Sequence, residues 1–259
     1  MNPLGITIED IYRLMLLMFR TGALLMTVPV FGHVAIPRQL RVWLIIMLAF
    51  MIFPSPVVET IETPSTTFQL ALVILVELAV GFAMGFAVII LFAAVQFAGH
   101  LIGLQMGLAV ANIMDPMSAS QISIIGEFYY LVSLLIFLMI DGHHFVIRAL
   151  VWSFELIPVG GMSFGPDIGD YIIALTVNLF VVGIKLATPL IITIFILNVV
   201  MGIVSRTVPQ MNVFIVGFPL AIGVGLFMIR LSLPFFKVVL INAFQGLETD
   251  VMSIINLLR

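Results

Sequence analysis

The sequence contains no cysteine, and few of its side chains carry a charge. The missing thiols exclude a disulfide framework, an iron–sulfur site and a thiolate zinc site. Charged residues make up only 9% of the 259 residues, against about 25% in soluble domains. The basic residues form no run and the acidic residues form no tail, so nothing in the sequence indicates binding to nucleic acid.

Apolar residues dominate what remains. They account for 63% of the chain, and the mean hydropathy is +1.30. A soluble core of this size has no room for so much apolar surface, whereas a bilayer accepts it. The sequence therefore predicts an all-α polytopic membrane protein. We expect a single domain over residues 1–259, because no polar stretch is long enough to form a separate soluble one.

Prolines, glycines and charges divide the chain into predicted helical blocks. The apolar blocks cover about residues 8–30, 42–53, 68–114, 122–140, 171–204 and 213–229, with a last segment over 235–258 after Pro234. As one straight helix, block 68–114 would measure about 70 Å, more than twice the thickness of a bilayer core. It is therefore predicted to break, to project from the membrane or to fold back as a hairpin.

The stretch 143–157 has a different, amphipathic pattern. One predicted helical face carries polar groups (His144, Arg148, Trp152 and Glu155), and the opposite face carries apolar ones (Val146, Leu150, Phe154 and Ile157). This pattern predicts an interfacial helix or one arm of a tight hairpin.

Glycines recur at four-residue spacing in block 68–114. Gly81 and Gly85 form one pair, and Gly99, Gly103 and Gly107 form a second set. Each set lies on one helical face and permits close approach of another backbone. That backbone belongs either to this chain or to a neighbouring subunit, and we predict that Gly81, Gly85, Gly99 and Gly103 pack against subunits.

Residues 103–124 are apolar, rich in methionine and interrupted by a turn. Non-helical backbone at membrane depth is tolerated only where it is buried in protein or lines a cavity. Methionine adapts to irregular gaps, so it suits either ordinary packing or a seal that opens and closes again. The predicted pore or plug residues are Leu104, Gln105, Met106, Gly107, Asn112, Met114, Asp115, Pro116 and Met117.

Three charges fall within or beside apolar blocks, namely Glu77, Glu127 and Lys185. Burying one alone costs about 3 kcal/mol on insertion scales, so each is predicted to need a partner. A pair of Lys185 with Glu127 or Glu77 is one solution, as a structural salt bridge or as part of an ion relay. The other solution places the residue at a helix end outside lipid.

A polar break separates blocks 171–204 and 213–229. Its polar members Arg206, Gln210 and Asn212 surround Pro209. The pattern fits an ordinary turn and equally a hairpin tip at a subunit junction or pore mouth, for which we predict a role in subunit packing.

Catalytic motifs are missing from the sequence. There is no HExxH, no GxSxG and no phosphate-binding glycine loop with lysine. Asp141-Gly-His-His144 is a weak metal motif, because adjacent histidines are expected on different helical faces. We predict a protein that is not an enzyme and needs no metal or other cofactor.

Several ordered motifs together resemble the export-gate membrane proteins of type III secretion, the FliR/SctT family. They are Arg20-Thr-Gly-Ala, Val28-Pro29-Val-Phe-Gly32, Gly81-Phe-Ala-Met-Gly85, Gly103-Leu-Gln-Met-Gly107, Met114-Asp115-Pro116, Asp141-Gly142-His143, Arg206-Thr-Val-Pro209-Gln210-Met-Asn212-Val-Phe214 and Gly217-Phe218-Pro219. One departure is Ala221, which stands where the family often carries a basic residue.

The resemblance implies a subunit of the flagellar export gate in the bacterial inner membrane, at the basal body. One copy would assemble with FliP and FliQ, with FlhB and FlhA nearby, and would pass unfolded flagellar subunits. Its helices would form long bent hairpins, and the loop near 104–124 would contribute to a closed-state plug. The alternative from another class is a secondary transporter of a small solute, with Lys185 as the candidate relay.

Overall fold

The computed structural model describes residues 7–54, 66–108, 123–163, 165–210 and 212–259. Over these residues the chain forms helices and connecting turns, so the all-α prediction is confirmed. The helices are α1 (Ile8–Thr27), α2 (Pro29–Gly32), α3 (Arg38–Ile52), α4 (Thr67–Gln105), α5 (Ile124–Met139), α6 (Gly142–Leu156), α7 (Ile168–Thr207) and α8 (Val213–Leu257).

Three helices are long and apolar enough to cross a membrane: α4, α7 and the part of α8 from Ile215 to Leu257. The pair α5 and α6 is bent by 67° at a short break and qualifies as a fourth crossing if it is counted as one span. Block 68–114 continues as a single helix of 39 residues up to Gln105. Together these lengths confirm a polytopic membrane protein with helices longer than a bilayer needs.

The predicted break before Pro234 is wrong. Helix α8 runs for 45 residues through both Pro219 and Pro234. A proline removes only one backbone hydrogen bond, here the one that the carbonyl of Arg230 would accept from residue 234, and the rest of a long helix keeps its own. The Ser232 hydroxyl donates to the neighbouring carbonyl of Ile229 at 3.1 Å.

The described residues form two compact units. The first unit combines α1, α2, α3 and α6 with residues 66–90 at the start of α4, 165–176 at the start of α7 and 245–259 at the end of α8. The second unit combines α5 with residues 91–108, 177–210 and 212–244. Since α4, α7 and α8 each contribute to both units, this division is not a split into successive domains, and the single domain stays a prediction.

The core of the first unit forms between α1 and α3. Leu25, Ile45 and Leu48 are buried together, and partly buried Phe31 and Ile147 pack against them. Helix α6 covers this unit with the apolar face that the sequence predicted. Its four predicted apolar residues (Val146, Leu150, Phe154 and Ile157) are all buried.

An aromatic cluster forms the core of the second unit. The ring of Phe92 on α4 lies 5.8 Å from Tyr130, 5.7 Å from Phe137 and 5.6 Å from Phe244, measured between centroids. These edge-on and tilted contacts join α4, α5 and α8. They fix the interior of α4 in the second unit, about 20 Å before the helix end where the predicted plug residues begin.

Candidate functional site

The end of α4 is closed by a glycine cap. The Gly107 N–H donates to the carbonyl of Leu104 at 3.0 Å, and the Leu108 N–H donates to that of Gly103 at 3.1 Å. This pair of bonds is the Schellman motif, which needs a left-handed residue directly after the helix. Gly107 supplies it with φ +80. The helix therefore ends at a fixed place within the methionine-rich stretch 103–124.

Two close contacts attach this cap to α8. A Cβ atom built on Gly107 would lie 2.7 Å from the ring of Phe218, so the glycine backbone packs directly against the aromatic ring. The fully buried side chain of Met106 fits the notch at Gly225, where an added Cβ would lie 2.7 Å from its sulfur. The start of the loop is thus wedged against a helix of the same unit.

Beside the cap lies a cavity of about 490 Å³. Residues 104–107 form one wall, and the other walls are Asn198, Met201 and Gly202 of α7 and Gly217, Phe218 and Ala221 of α8. The cavity is a mainly apolar space with Gln105 and Asn198 as its polar groups. Ala221, the position that departs from the resemblance, contributes a small apolar wall here instead of a charge.

The predicted pore and plug residues divide at this point. Leu104, Gln105, Met106 and Gly107 come together at the cavity. Asn112, Met114, Asp115, Pro116 and Met117 lie outside the described residues. Their role in a plug stays a prediction.

The glycine faces contact helices of their own chain. An added Cβ on Gly81 would clash with the Arg20 carbonyl, and one on Gly85 would lie 2.6 Å from Thr27 Cβ. Gly99 lies against the backbone of Gly126, and Gly103 lies against Ser123. The predicted close approach is therefore present within the chain, and packing of these glycines against neighbouring subunits stays a prediction.

A buried ion pair lies in the first unit. Arg20 Nε donates to Glu77 Oε2 at 2.7 Å, Arg20 Nη2 donates to Oε1 at 3.1 Å, and both side chains are fully buried. The Gly160 N–H also donates to Oε1, at 2.8 Å. Arg20 Nη1 donates to the carbonyls of Ser153 at 2.8 Å and Ile157 at 3.1 Å. All three guanidinium nitrogens of Arg20 and both carboxylate oxygens of Glu77 therefore form hydrogen bonds.

Of the alternatives open for Glu77, the structure shows a salt bridge with Arg20 and not one with Lys185. Arg20 also stacks over the Phe154 ring at 4.2 Å, so the network ties α1, α4 and the end of α6 together. Glu127 and Lys185 are exposed in the chain on its own, so their burial stays a prediction. The charge of Arg20 within an apolar block was the available signal for its pairing with Glu77.

The polar break lies at the turn between α7 and α8. Arg206, Pro209, Gln210 and Asn212 are all exposed, and Asn212 Oδ1 accepts from the Ile215 N–H at 3.4 Å at the start of α8. The break is thus a hairpin tip. Its contact with other subunits stays a prediction.

Asp141, His143 and His144 come closer together than the sequence suggested. Potential ligand atoms of the three lie within 4.8 Å of one another, and the two imidazoles stack with centroids 4.1 Å apart. The expectation that adjacent histidines point to different faces is therefore wrong at this bend, where Asp141 adopts φ 58. His144 Nδ1 lies 3.2 Å from Asp141 Oδ1, and both side chains are largely exposed.

The fold and its site define a class: a helical polytopic membrane protein whose three longest helices line a small open cavity. A family model described as "Bacterial export proteins, family 1" matches residues 11–247. The chain belongs to this family.

Relatives of similar length support the same placement. The chain is 34% identical over 246 residues to the flagellar biosynthetic protein FliR of Bacillus subtilis (strain 168), covering 92% of this chain and 93% of the relative. It is 35% identical over 237 residues to FliR of Aquifex aeolicus (strain VF5), covering 92% and 91%. It is 33% identical over 220 residues to FliR of Escherichia coli (strain K12), covering 84% and 82%.

Proposed function

We propose that this chain is a non-enzymatic core subunit of the flagellar type III protein export gate. With FliP and FliQ it forms the channel through which unfolded flagellar subunits cross the bacterial inner membrane at the basal body. One copy enters the assembly, and FlhB and FlhA lie nearby. Family membership and the flagellar relatives support this proposal.

The observation that carries the channel role is the wedged end of α4. A loop that closes a pore needs a stem that does not move when the loop does. Gly107 caps the helix and packs against Phe218, and Met106 packs against Gly225. Both residues lie at the start of the methionine-rich stretch 103–124. We infer that this stem holds the loop near 104–124, which contributes to the closed-state plug.

The chemistry of the cavity fits such a closure. Its walls are mostly apolar, and Met106 and Met201 supply adaptable side chains. An apolar constriction blocks ions because neither water nor charge is stabilised inside it. A stem of this kind keeps movements of the sealing loop from disturbing the helices that pack around it.

The test is ion leak through the assembled complex. The deletion of Met114–Ser118 should raise membrane permeability in cells that carry FliP and FliQ, while assembly is retained. Gly246→Ala is the matched control, since an added Cβ there meets nothing within 4 Å and Gly246 does not line the cavity. Unchanged permeability after the deletion would refute the plug role.

The subunit role has its own test in native mass spectrometry. The chain should appear as a single copy in a hetero-oligomer when it is produced with FliP and FliQ. A monomer or homodimer that ignores both partners would refute the export-gate proposal and favour the small-solute transporter.

A further inference from the structure

Four basic residues of the second unit are exposed on its two longest helices. They are Lys185 and Arg206 on α7, and Arg230 and Lys237 on α8. Within the part of the chain that the structure describes, none of them forms a salt bridge. Charged groups on helices this apolar are costly without a partner. The proposed channel role does not account for them.

The antiparallel pairing of α7 and α8 sets the relative heights of these cations. Residues 198–202 of α7 and 217–221 of α8 line the same cavity, so the two helices run side by side from the hairpin tip. Lys185 lies 21 residues before Arg206, or about 32 Å along α7. Arg230 and Lys237 lie 17 and 24 residues after the start of α8, or about 26 and 36 Å, and so come within about 6 Å of the same level. We call Lys185, Arg230 and Lys237 the cation belt.

Arg206 lies one bilayer thickness from the cation belt. Residues 186–205 between Lys185 and Arg206 contain no charge. They measure about 30 Å as a helix, which is the thickness of the hydrocarbon core. Residues 213–229 of α8 form the matching charge-free segment on the other side of the hairpin tip. The charges therefore bound a hydrophobic slab of the right height.

The side chains within this slab are suited to lipid. Large apolar residues point outward, with Ile192 53%, Phe195 65%, Ile203 61% and Phe227 59% exposed. Lysine and arginine at the ends of a span extend their charged groups to the headgroup region. Basic groups at that depth attract the phosphates of anionic lipids.

We propose that the cation belt binds the phosphates of anionic phospholipids at one bilayer surface, with Arg206 at the other. The belt thereby fixes the depth of the α7–α8 hairpin in the membrane. This inference goes beyond the proposed function, because it concerns lipid contact and not the channel. The competing explanation is that these cations pair with carboxylates on neighbouring protein helices.

The first test measures depth in the bilayer and needs no change to the belt. The chain has no cysteine, so single-cysteine variants of the full chain accept one fluorophore each. Phe195→Cys, Val181→Cys and Val208→Cys replace residues that are 65%, 57% and 48% exposed. In phosphatidylglycerol-containing vesicles, lipids with a nitroxide at the bilayer centre should quench position 195 most strongly. Equal or stronger quenching at 181 or 208 would overturn the proposed depth.

The second test counts bound lipid. The triple variant Lys185→Gln/Arg230→Gln/Lys237→Gln should retain phosphatidylglycerol with an affinity lower by on the order of tenfold or more, as measured by native mass spectrometry. The matched control is Arg38→Gln/Arg148→Gln/Arg259→Gln, which removes three exposed basic residues of the first unit.

Two outcomes contradict the lipid proposal. Equal phosphatidylglycerol retention by the two triple variants would show that the belt does not bind this lipid. A belt variant that keeps the lipid but no longer copurifies with FliP and FliQ would assign the cations to carboxylates of partner subunits. Neither measurement depends on ion leak, so the result of either one leaves the proposed channel role to be tested by its own experiment.

Discussion

The two units of the chain treat charge in opposite ways. In the first unit, Arg20 and Glu77 are fully buried and share five short contacts with each other and the backbone. In the second, Glu127 is the one acidic residue among those described, and four basic residues lie exposed. The first unit thus buries one neutralised ion pair in addition to its exposed charges, whereas every Asp, Glu, Lys and Arg described in the second unit is exposed.

Apolar surface does not follow this division. Helix α6 of the first unit buries its apolar face within that unit. Helix α3 of the same unit nevertheless leaves Trp43 68% and Phe50 58% exposed, much as α7 of the second unit exposes Phe195 and Ile203. We conclude that both units present apolar surface to lipid or to partner subunits.

The largest expected effect comes from breaking the buried pair. Glu77→Gln should lower the free energy of unfolding by about 3–5 kcal/mol, because it leaves the Arg20 guanidinium buried without a counter-charge. Thermal unfolding in detergent can be followed by tryptophan fluorescence, since Trp43 and Trp152 both lie in the first unit.

The control for this prediction is Glu127→Gln, which changes the exposed carboxylate of the second unit by less than about 0.5 kcal/mol. Arg20→Met/Glu77→Met should recover most of the loss, since an apolar pair needs no counter-charge. A wild-type melting temperature for Glu77→Gln would show that the ion pair contributes nothing to the first unit.

An intermediate effect is expected at the glycine contacts, which occur in both units. Gly81→Ala in the first unit and Gly99→Ala in the second should each cost about 1–3 kcal/mol. In both places the added Cβ would clash with the backbone of the facing helix, which has no flexible end to move aside. Circular dichroism during thermal unfolding measures both variants on the same scale.

Gly223→Ala is the matched control on α8, because an added Cβ there meets nothing within 4 Å. It should leave stability unchanged or raise it by about 0.5–1 kcal/mol, since alanine restricts the unfolded chain. If Gly99→Ala behaves like Gly223→Ala, the close approach of α4 and α5 is not required for stability.

The sequence predicted local features well because their causes are local. The faces of α6 follow from a repeat of 3.6 residues within a single segment, and the hairpin tip follows from Arg206, Pro209 and Asn212. The four-residue glycine spacing predicted close approach for the same reason. Which helix approaches is a property of the tertiary structure, so the spacing did not identify the facing helices, and packing against neighbouring subunits stays a prediction.

Long-range partners and competing local rules explain the other differences. Glu77 was expected to pair with Lys185 or to lie outside lipid, and only the packing of α1 against α4 selects Arg20. Pro234 is a helix-breaking signal by local rules, but a long apolar helix has more to lose by ending than by giving up one hydrogen bond. Residues 104–107 were predicted as pore or plug residues, but their contacts with Phe218 and Gly225 were not.

The smallest expected effect concerns the N-terminal caps of the helices, which differ between the two units. In the first unit, Thr7 and Asp10 form a capping box at α1. The Thr7 N–H donates to Asp10 Oδ2 at 2.8 Å, and the Thr7 hydroxyl donates to the same oxygen at 2.8 Å. These bonds, the backbone one first, lower the pKa of Asp10 below its ordinary value. In the second unit, Ser123 caps α5 without an ionisable partner, accepting from the Gly126 N–H at 3.1 Å.

The two caps should therefore differ in their response to acid. Because the pKa of Asp10 is lower in the folded chain, its contribution is fully present above the unfolded pKa of about 4 and is lost as the pH falls through the folded value. Asp10→Asn should remove that part of the acid sensitivity, seen as a smaller drop in melting temperature between neutral pH and about pH 3. Ser123→Ala should instead cost about 1 kcal/mol equally at both pH values. If Asp10→Asn has the same acid sensitivity as the wild type, α1 draws no stability from an ionised cap, and the first unit's use of internally paired charge is confined to Arg20 and Glu77.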